Sequence, residues 1–260
     1  MTTVCLHDKN TIEQILRRNV HLHIYGIGDL ADFFWPYTTW YASDSDTGFG
    51  DIALLYTGQS VPTLLALSDT PDGMRDLVDS ILHLLPQHFY AHLSLGVESI
   101  LAENFQLDSR GKHWKMALMD RSAIDASDCL EAVALDTRDL KALVAFYDRC
   151  YSGHWFDPRM LETKQYFAVK KGGTLISAGG VHVYSSEYRV AALGNIATAP
   201  EYRNKGYARQ VTARTCQSLL RAGCEIGLNV KADNDAAISS YNKLGFKIVA
   251  SYGEYRVERK

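Results

Sequence analysis

The sequence predicts an α/β protein: a mixed central sheet flanked by helices in the second half, preceded by a smaller α/β half. Three observations predict it. Short apolar, strand-like runs alternate with helical ones along the whole chain. A buried-strand composition from Val190 to Thr198 runs into a loop carrying Arg203, Lys205 and Gly206, then into a long helical stretch. At 260 residues, 47% of them hydrophobic, the chain can fill two small cores or one large one.

Composition removes several function classes. The formal net charge is −3, so no global field recruits nucleic acid or an anionic membrane, and any anion site must be local. Five cysteines are scattered without CxxC spacing; an odd count of this kind suits free thiols in a reducing compartment and argues against a disulfide frame or a zinc site. The first twenty residues lack a basic-then-apolar signal pattern and read as a short helix, and no apolar run approaches the ~18 residues of a membrane helix. A soluble, cytoplasmic protein is expected.

In the first half, Thr11 to Asn19 reads as a helix with Ile12, Ile15 and Leu16 on one side. His21 to Tyr25 alternates like a strand with exposed histidines. The aromatic patch of Phe33, Phe34, Trp35, Tyr37, Trp40 and Tyr41 is assigned to packing. Asp51 to Tyr56 and Pro62 to Leu67 pair as strands around Gly58. Pro71 to Leu85 is a helix burying Met74, Leu77, Val78 and Ile81. A strand (Phe89 to Leu95), a helix (Val97 to Phe105) and a strand (Trp114 to Met119) follow. Asp120 to Asp128, polar with three aspartates, is read as a linker, dividing domains at 1–125 and 130–260.

The second half reads as a helix (Asp139 to Tyr147), a loop through Gly153, His154, Trp155 and Pro158, and two strands around Lys171-Gly172-Gly173. Then come the strand to Thr198, a helix from Gly206 to about Gly223, and a strand from Ile226 to Val230. Asn234 caps a helix from Ala236 to Leu244 that Gly245 terminates. Lys247 to Tyr252 and Glu254 to Glu258 close as a hairpin through Gly253.

The stretch Arg203-Asn204-Lys205-Gly206-Tyr207-Ala208 carries the chemistry. A strand feeding a glycine loop at a helix N-terminus presents unpaired N–H groups and the positive end of the helix dipole, a receptor for phosphate oxygens. Gly206 and Ala208 permit close approach, and Arg203 and Lys205 add charge. The spacing is neither GxxxxGK[ST] nor GxGxxG. It resembles the R/Q-x-x-G-x-G/A signature of the GNAT superfamily of acyl-CoA-dependent N-acyltransferases. A second element, N-D-A-A-I-S-S-Y-N-K-L-G-F from Asn234 to Phe246, follows 28 residues beyond Gly206 and matches the same family in order.

The resemblance covers roughly 130–260 and implies a GNAT fold there. It implies that Arg203 to Ala208 hold the pyrophosphate of acetyl-CoA or another acyl-CoA. It further implies that the Ile196, Ala197 and Thr198 backbone aligns pantetheine, that Asn234 contacts the cofactor, and that Tyr241 protonates the leaving thiolate as general acid, with no metal. The expected partner is a small-molecule or peptide amine, and oligomeric state is not legible. A degenerate first half before an active second half also resembles glycine N-acyltransferase-like members. The element orders of the two halves suggest a decayed GNAT-like duplication. Where the first half would carry its phosphate loop it has Ser68-Asp69-Thr70-Pro71-Asp72-Gly73, acidic and without Arg or Lys. One coenzyme site per chain follows.

Some GNAT enzymes carry a basic glutamate ten residues ahead of the loop. That position is Leu193 here, with Asn195 next on the same face, so no base is assigned. His182 leads the substitutes over Glu187, Asp157, Glu162 and a water chain that drains the proton from an ammonium, with a solvated strand histidine as the plain alternative. Tyr147 to Leu161 occupies the acceptor side, where Trp155, Phe156 and Asp157 either line an amine pocket or simply pack. Two other readings stay open: a non-catalytic acyl-CoA-binding sensor or scaffold, permitted by the absent carboxylate, and a nucleotide-phosphate domain of another kind.

Overall fold

The computed structural model describes residues 2–260. Its first elements are strand β1 (Thr2–Leu6), helices α1 (Lys9–Leu16) and α2 (Val20–Gly28), and strands β2 (Thr38–Ser45), β3 (Gly48–Tyr56) and β4 (Thr63–Ala66). Helix α3 (Pro71–Ile81), β5 (His88–Leu93), α4 (Glu98–Asn104) and β6 (Phe105–Leu118) follow. After the short α5 (Ser122–Asp125) come β7 (Ala132–Ala134), α6 (Leu140–Cys150), β8 (Phe167–Lys171), β9 (Thr174–Ser185) and β10 (Val190–Thr198). The chain continues through α7 (Tyr207–Arg221), β11 (Glu225–Lys231), α8 (Asp235–Asn242) and β12 (Phe246–Arg259).

Two compact units result. One holds the residues up to Lys115 together with Val230–Asn234 and Ile248–Lys260; the other holds Met116–Asn229 and Asp235–Lys247. These units cut the chain differently from a single division near 125–130, because Gly253 to Glu258 pair antiparallel with Leu93 to His88.

In the first unit the strands lie in the order β1-β2-β3-β4-β5-β12-β6. β1 to β4 are antiparallel neighbours, whereas β4 and β5 run parallel, an arrangement that needs a crossover, here α3. Met74, Leu77, Val78 and Ile81 of α3 are buried with Phe89, Phe105 and Val257. In the second unit the order is β11-β10-β9-β8-β7. β7 to β10 are antiparallel, β10 and β11 parallel, and α7 is the crossover. Each unit therefore has an antiparallel run followed by one parallel strand reached through a helix, the mixed α/β layout expected from the sequence.

Four sequence readings are corrected. His21 to Tyr25 is helical, not a strand: Asn19 accepts the Leu22 amide at 3.1 Å as N-cap, and Leu22, Ile24 and Ile27 are buried. His23 is not an exposed strand histidine, since burial pushes its pKa down to about 4. The initial segment Thr2–Leu6 is a strand paired with β2. The hairpin through Gly253 is one continuous strand. A Cβ on Gly253 would lie 2.6 Å from the Tyr255 ring, so glycine is needed there for room under an aromatic side chain, not for a turn. The expected linker is held down: Gln217 donates to Ile124 O at 3.1 Å and accepts from Cys129 Sγ. Among the described residues, no helix is long and apolar enough to cross a membrane.

Candidate functional site

The loop before α7 is built to leave its N–H groups bare. Asn204 and Gly206 take positive φ of 61° and 85°. Gly206 is the N-cap, and no side chain caps the helix. The first intrahelical bond is Gln210 N–H to Gly206 O, 3.0 Å, so the amides of Tyr207, Ala208 and Arg209 precede it. Among the described residues beyond its chain neighbours, a Cβ placed on Gly206 would meet within 4 Å only Arg209 Nη2, at 3.7 Å, which leaves the approach to the loop open. Arg203 is tied by Nε to Thr198 O at 3.3 Å, and Lys205 by Nζ to Glu201 O at 3.1 Å. Both remain exposed. Tyr207 stacks edge-on against Tyr202 and, with it, packs on the core holding Val211 and Phe167. Below this end, Val211, Ala213, Cys216 and Leu219 bury one face of α7, and Gly223 (φ 73°) ends it with a donation from Cys224 N to Leu219 O.

Strands β9 and β10 carry two successive bulges. Ala192 pairs with Val183 and Leu193 with Val181, so His182 is an extra residue on β9. Gly194 then pairs with Gly180 and Ala197 with Ala178, so Asn195 and Ile196 together oppose Gly179. Bulges of this kind bend a strand and re-aim side chains. Asn195 pays for the second with a left-handed φ of 54°, a region that asparagine tolerates better than most residues. The parallel register with β11 covers Val190 to Leu193, and β10 runs on beyond it. Of the residues expected to align a cofactor arm, Ile196 lies over Gly179, Ala197 O accepts from Ser177 Oγ at 3.0 Å, and Thr198 O accepts from Arg203.

Around Asn195 sits a polar cluster that sequence reading largely missed. Tyr147 donates to Asn195 O at 2.8 Å, Asn195 Nδ2 donates to Tyr166 Oη at 3.0 Å, and Tyr166 donates to Val181 O at 3.0 Å. Burial holds both phenols above the ordinary tyrosine range. Phe156 packs between the two rings at 5.4 and 5.5 Å. The one legible signal was a lone asparagine inside an apolar strand.

Tyr241 lies on α8, half-buried, its ring 5.9 Å from Phe246. Burial first, then Tyr151 and Cys216, raise its pKa, so the phenol keeps its proton at neutral pH. Tyr151 also acts on Tyr147 and Tyr166, so its phenol lies within electrostatic reach of both Tyr241 and the Asn195 cluster. Asn234 stands immediately before α8, its amide bonded to Lys231 O at 3.0 Å. Gly245 has φ 90°, and a Cβ there would lie 1.9 Å from Asp120 O.

Among the base candidates, Leu193 is a buried strand residue and Glu187 and Glu162 are exposed. Asp157 caps the turn after it and pairs with Arg159. His182 is not a solvated strand histidine: its Nε2 is sealed from solvent. On the acceptor side Trp155 is 51% exposed while Phe156 packs inward.

The matching loop of the first unit is closed to anions. Ser68 bonds Asp51, Asn19 Nδ2 donates to both Asp69 oxygens at 3.0 and 2.8 Å, and Asp72 lies in the first turn of α3.

The sequence profile of the acetyltransferase (GNAT) family matches residues 128–246. An acetyltransferase of Sodalis glossinidius is 29% identical over 119 residues, covering 42% of this chain and 82% of the relative. A GNAT-family acetyltransferase structure from Novosphingobium aromaticivorans superposes with a TM-score of 0.61 at 17% identity, covering 81% of this chain and 89% of that one. A tandem GNAT protein from the clavulanic acid biosynthesis pathway superposes with a TM-score of 0.58 at 15% identity, covering 99% and 98%. The two-unit layout is thus shared with tandem GNAT architecture, and residues 128–246, in the C-terminal half, carry the match to the GNAT family.

Proposed function

We propose that the chain is an acyl-CoA-dependent N-acetyltransferase, transferring the acetyl group directly to an amine in a ternary complex. In this reading residues 130–260 form the acyltransferase domain and residues 1–125 a degenerate companion that binds no coenzyme, and the protein works in the cytoplasm. The observation that carries it is the bare N-terminus of α7, where Gly206 opens the approach between exposed Arg203 and Lys205. The relatives named acetyltransferases support it.

Acetyl-CoA supplies an activated acyl thioester. The chain's residues do the rest. The loop Arg203, Asn204, Lys205, Gly206, Tyr207 and Ala208 holds pyrophosphate through backbone N–H groups and two cations. Ile196, Ala197 and Thr198 fix register along the bulged strand, converting an encounter into an oriented one, and Asn234 adds a contact beside α8. Tyr241 keeps its phenol protonated and gives that proton to the leaving sulfur.

Calorimetric titration with acetyl-CoA tests the reading, with Gly206→Glu as control, since a side chain at φ 85° is strained and a carboxylate opposes the phosphates. Micromolar binding at one site per chain, lost in the variant, supports it, and absence of binding by the wild type ends it.

A further inference from the structure

The two bulges of β9 and β10 each carry a buried polar atom that no hydrogen bond in the fold satisfies. His182 is the extra residue of the first, and its ring lies against Gly194: a Cβ on that glycine would meet Cδ2, Cγ and Nε2 of the imidazole at 2.2 to 2.5 Å. The Cδ2–Nε2 edge therefore faces β10, and the Nδ1–Cε1 edge points away from it. Nε2 is sealed from solvent and lacks a partner of good geometry, and the same holds for Oδ1 of Asn195 at the second bulge. The Asn195 side chain is the neighbour that raises the proton affinity of the imidazole against the larger effect of burial. Two complementary atoms, both buried and both otherwise orphaned, each cost on the order of 1–3 kcal/mol unless they satisfy each other. The amide nitrogen of Asn195 is already committed to Tyr166, so the amide orientation is fixed and Oδ1 can only accept. Nε2 must then carry the hydrogen, and the neutral ring keeps its lone pair on Nδ1.

We infer that His182 is the proton acceptor for the amine substrate, with Nδ1 as the receiving atom and Asn195 as the residue that sets the tautomer. The inference rests on the acyltransferase reading and supplies the base that Leu193 cannot. An N–H bond of the alkylammonium breaks, its electron pair stays on nitrogen, and the proton joins Nδ1 and later passes to water. The imidazolium so formed keeps its Nε2–H on Asn195 Oδ1. Two phenols adjoin Asn195, Tyr166 through the side-chain amide and Tyr147 through the backbone carbonyl, and both are held above their ordinary range mainly by burial. Burial also lowers the His182 pKa, so the ring stays neutral and able to accept a proton at neutral pH.

The test uses the full chain labelled with ¹⁵N-histidine, with His182→Gln to assign the signal and Asn195→Asp to leave the imidazole in place. The expected spectrum at pH 7 has a protonated Nε2 and a bare Nδ1. Acetyl transfer is then measured to spermidine, tyramine and a lysine-containing peptide across pH. His182→Gln should lower kcat by about 10²-fold, remove the acid limb of the profile and leave acetyl-CoA affinity unchanged. Asn195→Asp should move that limb to higher pH, because a carboxylate stabilises the imidazolium. The opposite tautomer, or an unchanged rate and profile in His182→Gln, overturns the assignment while leaving the acyltransferase reading intact. A wild type that binds acetyl-CoA but acetylates none of these amines counts against both.

Discussion

The phenol of Tyr147 donates to the backbone carbonyl of Asn195 across 48 residues of sequence, at 2.8 Å in a buried setting. The bond joins α6 to the bulge of β10, where the strand turns left-handed and leaves its regular register. Tyr147→Phe leaves that carbonyl buried and unpaired, so about 1–2 kcal/mol of stability should be lost. The shift in urea midpoint at constant m-value measures it. A midpoint equal to that of the wild type would mean that the bulge stands without this bond.

Tyr241→Phe removes the proposed proton donor but keeps the ring that packs near Phe246. The turnover rate should fall by about 10²-fold while acetyl-CoA affinity stays within twofold. Parallel kinetics and calorimetry separate the two quantities. A full rate in the variant removes Tyr241 from the mechanism.

Gly245 and Gly153 both have positive φ, 90° and 76°, yet alanine should be felt very differently at each. A Cβ at 245 collides with a backbone oxygen of Asp120, whereas one at 153 meets nothing within 4 Å. Gly153→Ala should cost about 1 kcal/mol of conformational strain. Gly245→Ala should cost about 3 kcal/mol or more, because backbone must move. Thermal unfolding of the pair decides whether the strain or the collision dominates.

The first unit contains a buried Lys115 whose ammonium stands 5.1 Å from the Tyr25 ring and 5.5 Å from that of Tyr252. Burial pushes its pKa down to about 7, and burial with Lys115 nearby pushes His92 to about 3 and His23 to about 4. In each case the unfolded chain holds its proton to higher pH than the native one, so stability rises with pH across the gap. The histidine window runs from about 3 to ~6.5 and the lysine window from about 7 to ~10.4. Acidification below 6.5 should therefore destabilise this unit, and a rise from pH 7 to 9 should stabilise it by at most a few kcal/mol, at about 1.4 kcal/mol per pH unit. Hydrogen exchange of β5 amides, corrected for intrinsic rates, reads this out. Lys115→Met should flatten the alkaline rise, and persistence of the rise in that variant would assign it to another group.

The parts of the site legible in the sequence are those fixed locally. The apolar run to Thr198, Gly206 at a helix start, and the Asn234 to Gly245 helix each depend on near neighbours, and each is found in place. The rest depends on register. His182 and Asn195 meet only because one residue is inserted on β9 and another on β10, and no periodicity in either strand announces that. Tyr147 and Tyr166 reach Asn195 from distant segments. His21 to Tyr25 misled because polar and apolar residues alternate over five positions, too few to separate a strand from a short helix. The three-residue edge strand at Ala132–Ala134 is too short to carry any pattern.

The strand inserted between β5 and β6 has consequences for synthesis. Its pairing residues, Gly253 to Glu258, are made well over a hundred residues after Leu93, the last residue of β5. Domains generally fold in the order in which they are translated, yet here the earlier unit waits, with Phe89 and Phe105 lacking the Val257 side chain that completes their core. A nascent chain paused before that strand would hold an open sheet edge on β5, the kind of surface that pairs with other chains. Slower translation through the intervening segment should therefore lengthen the time for which that edge stays open.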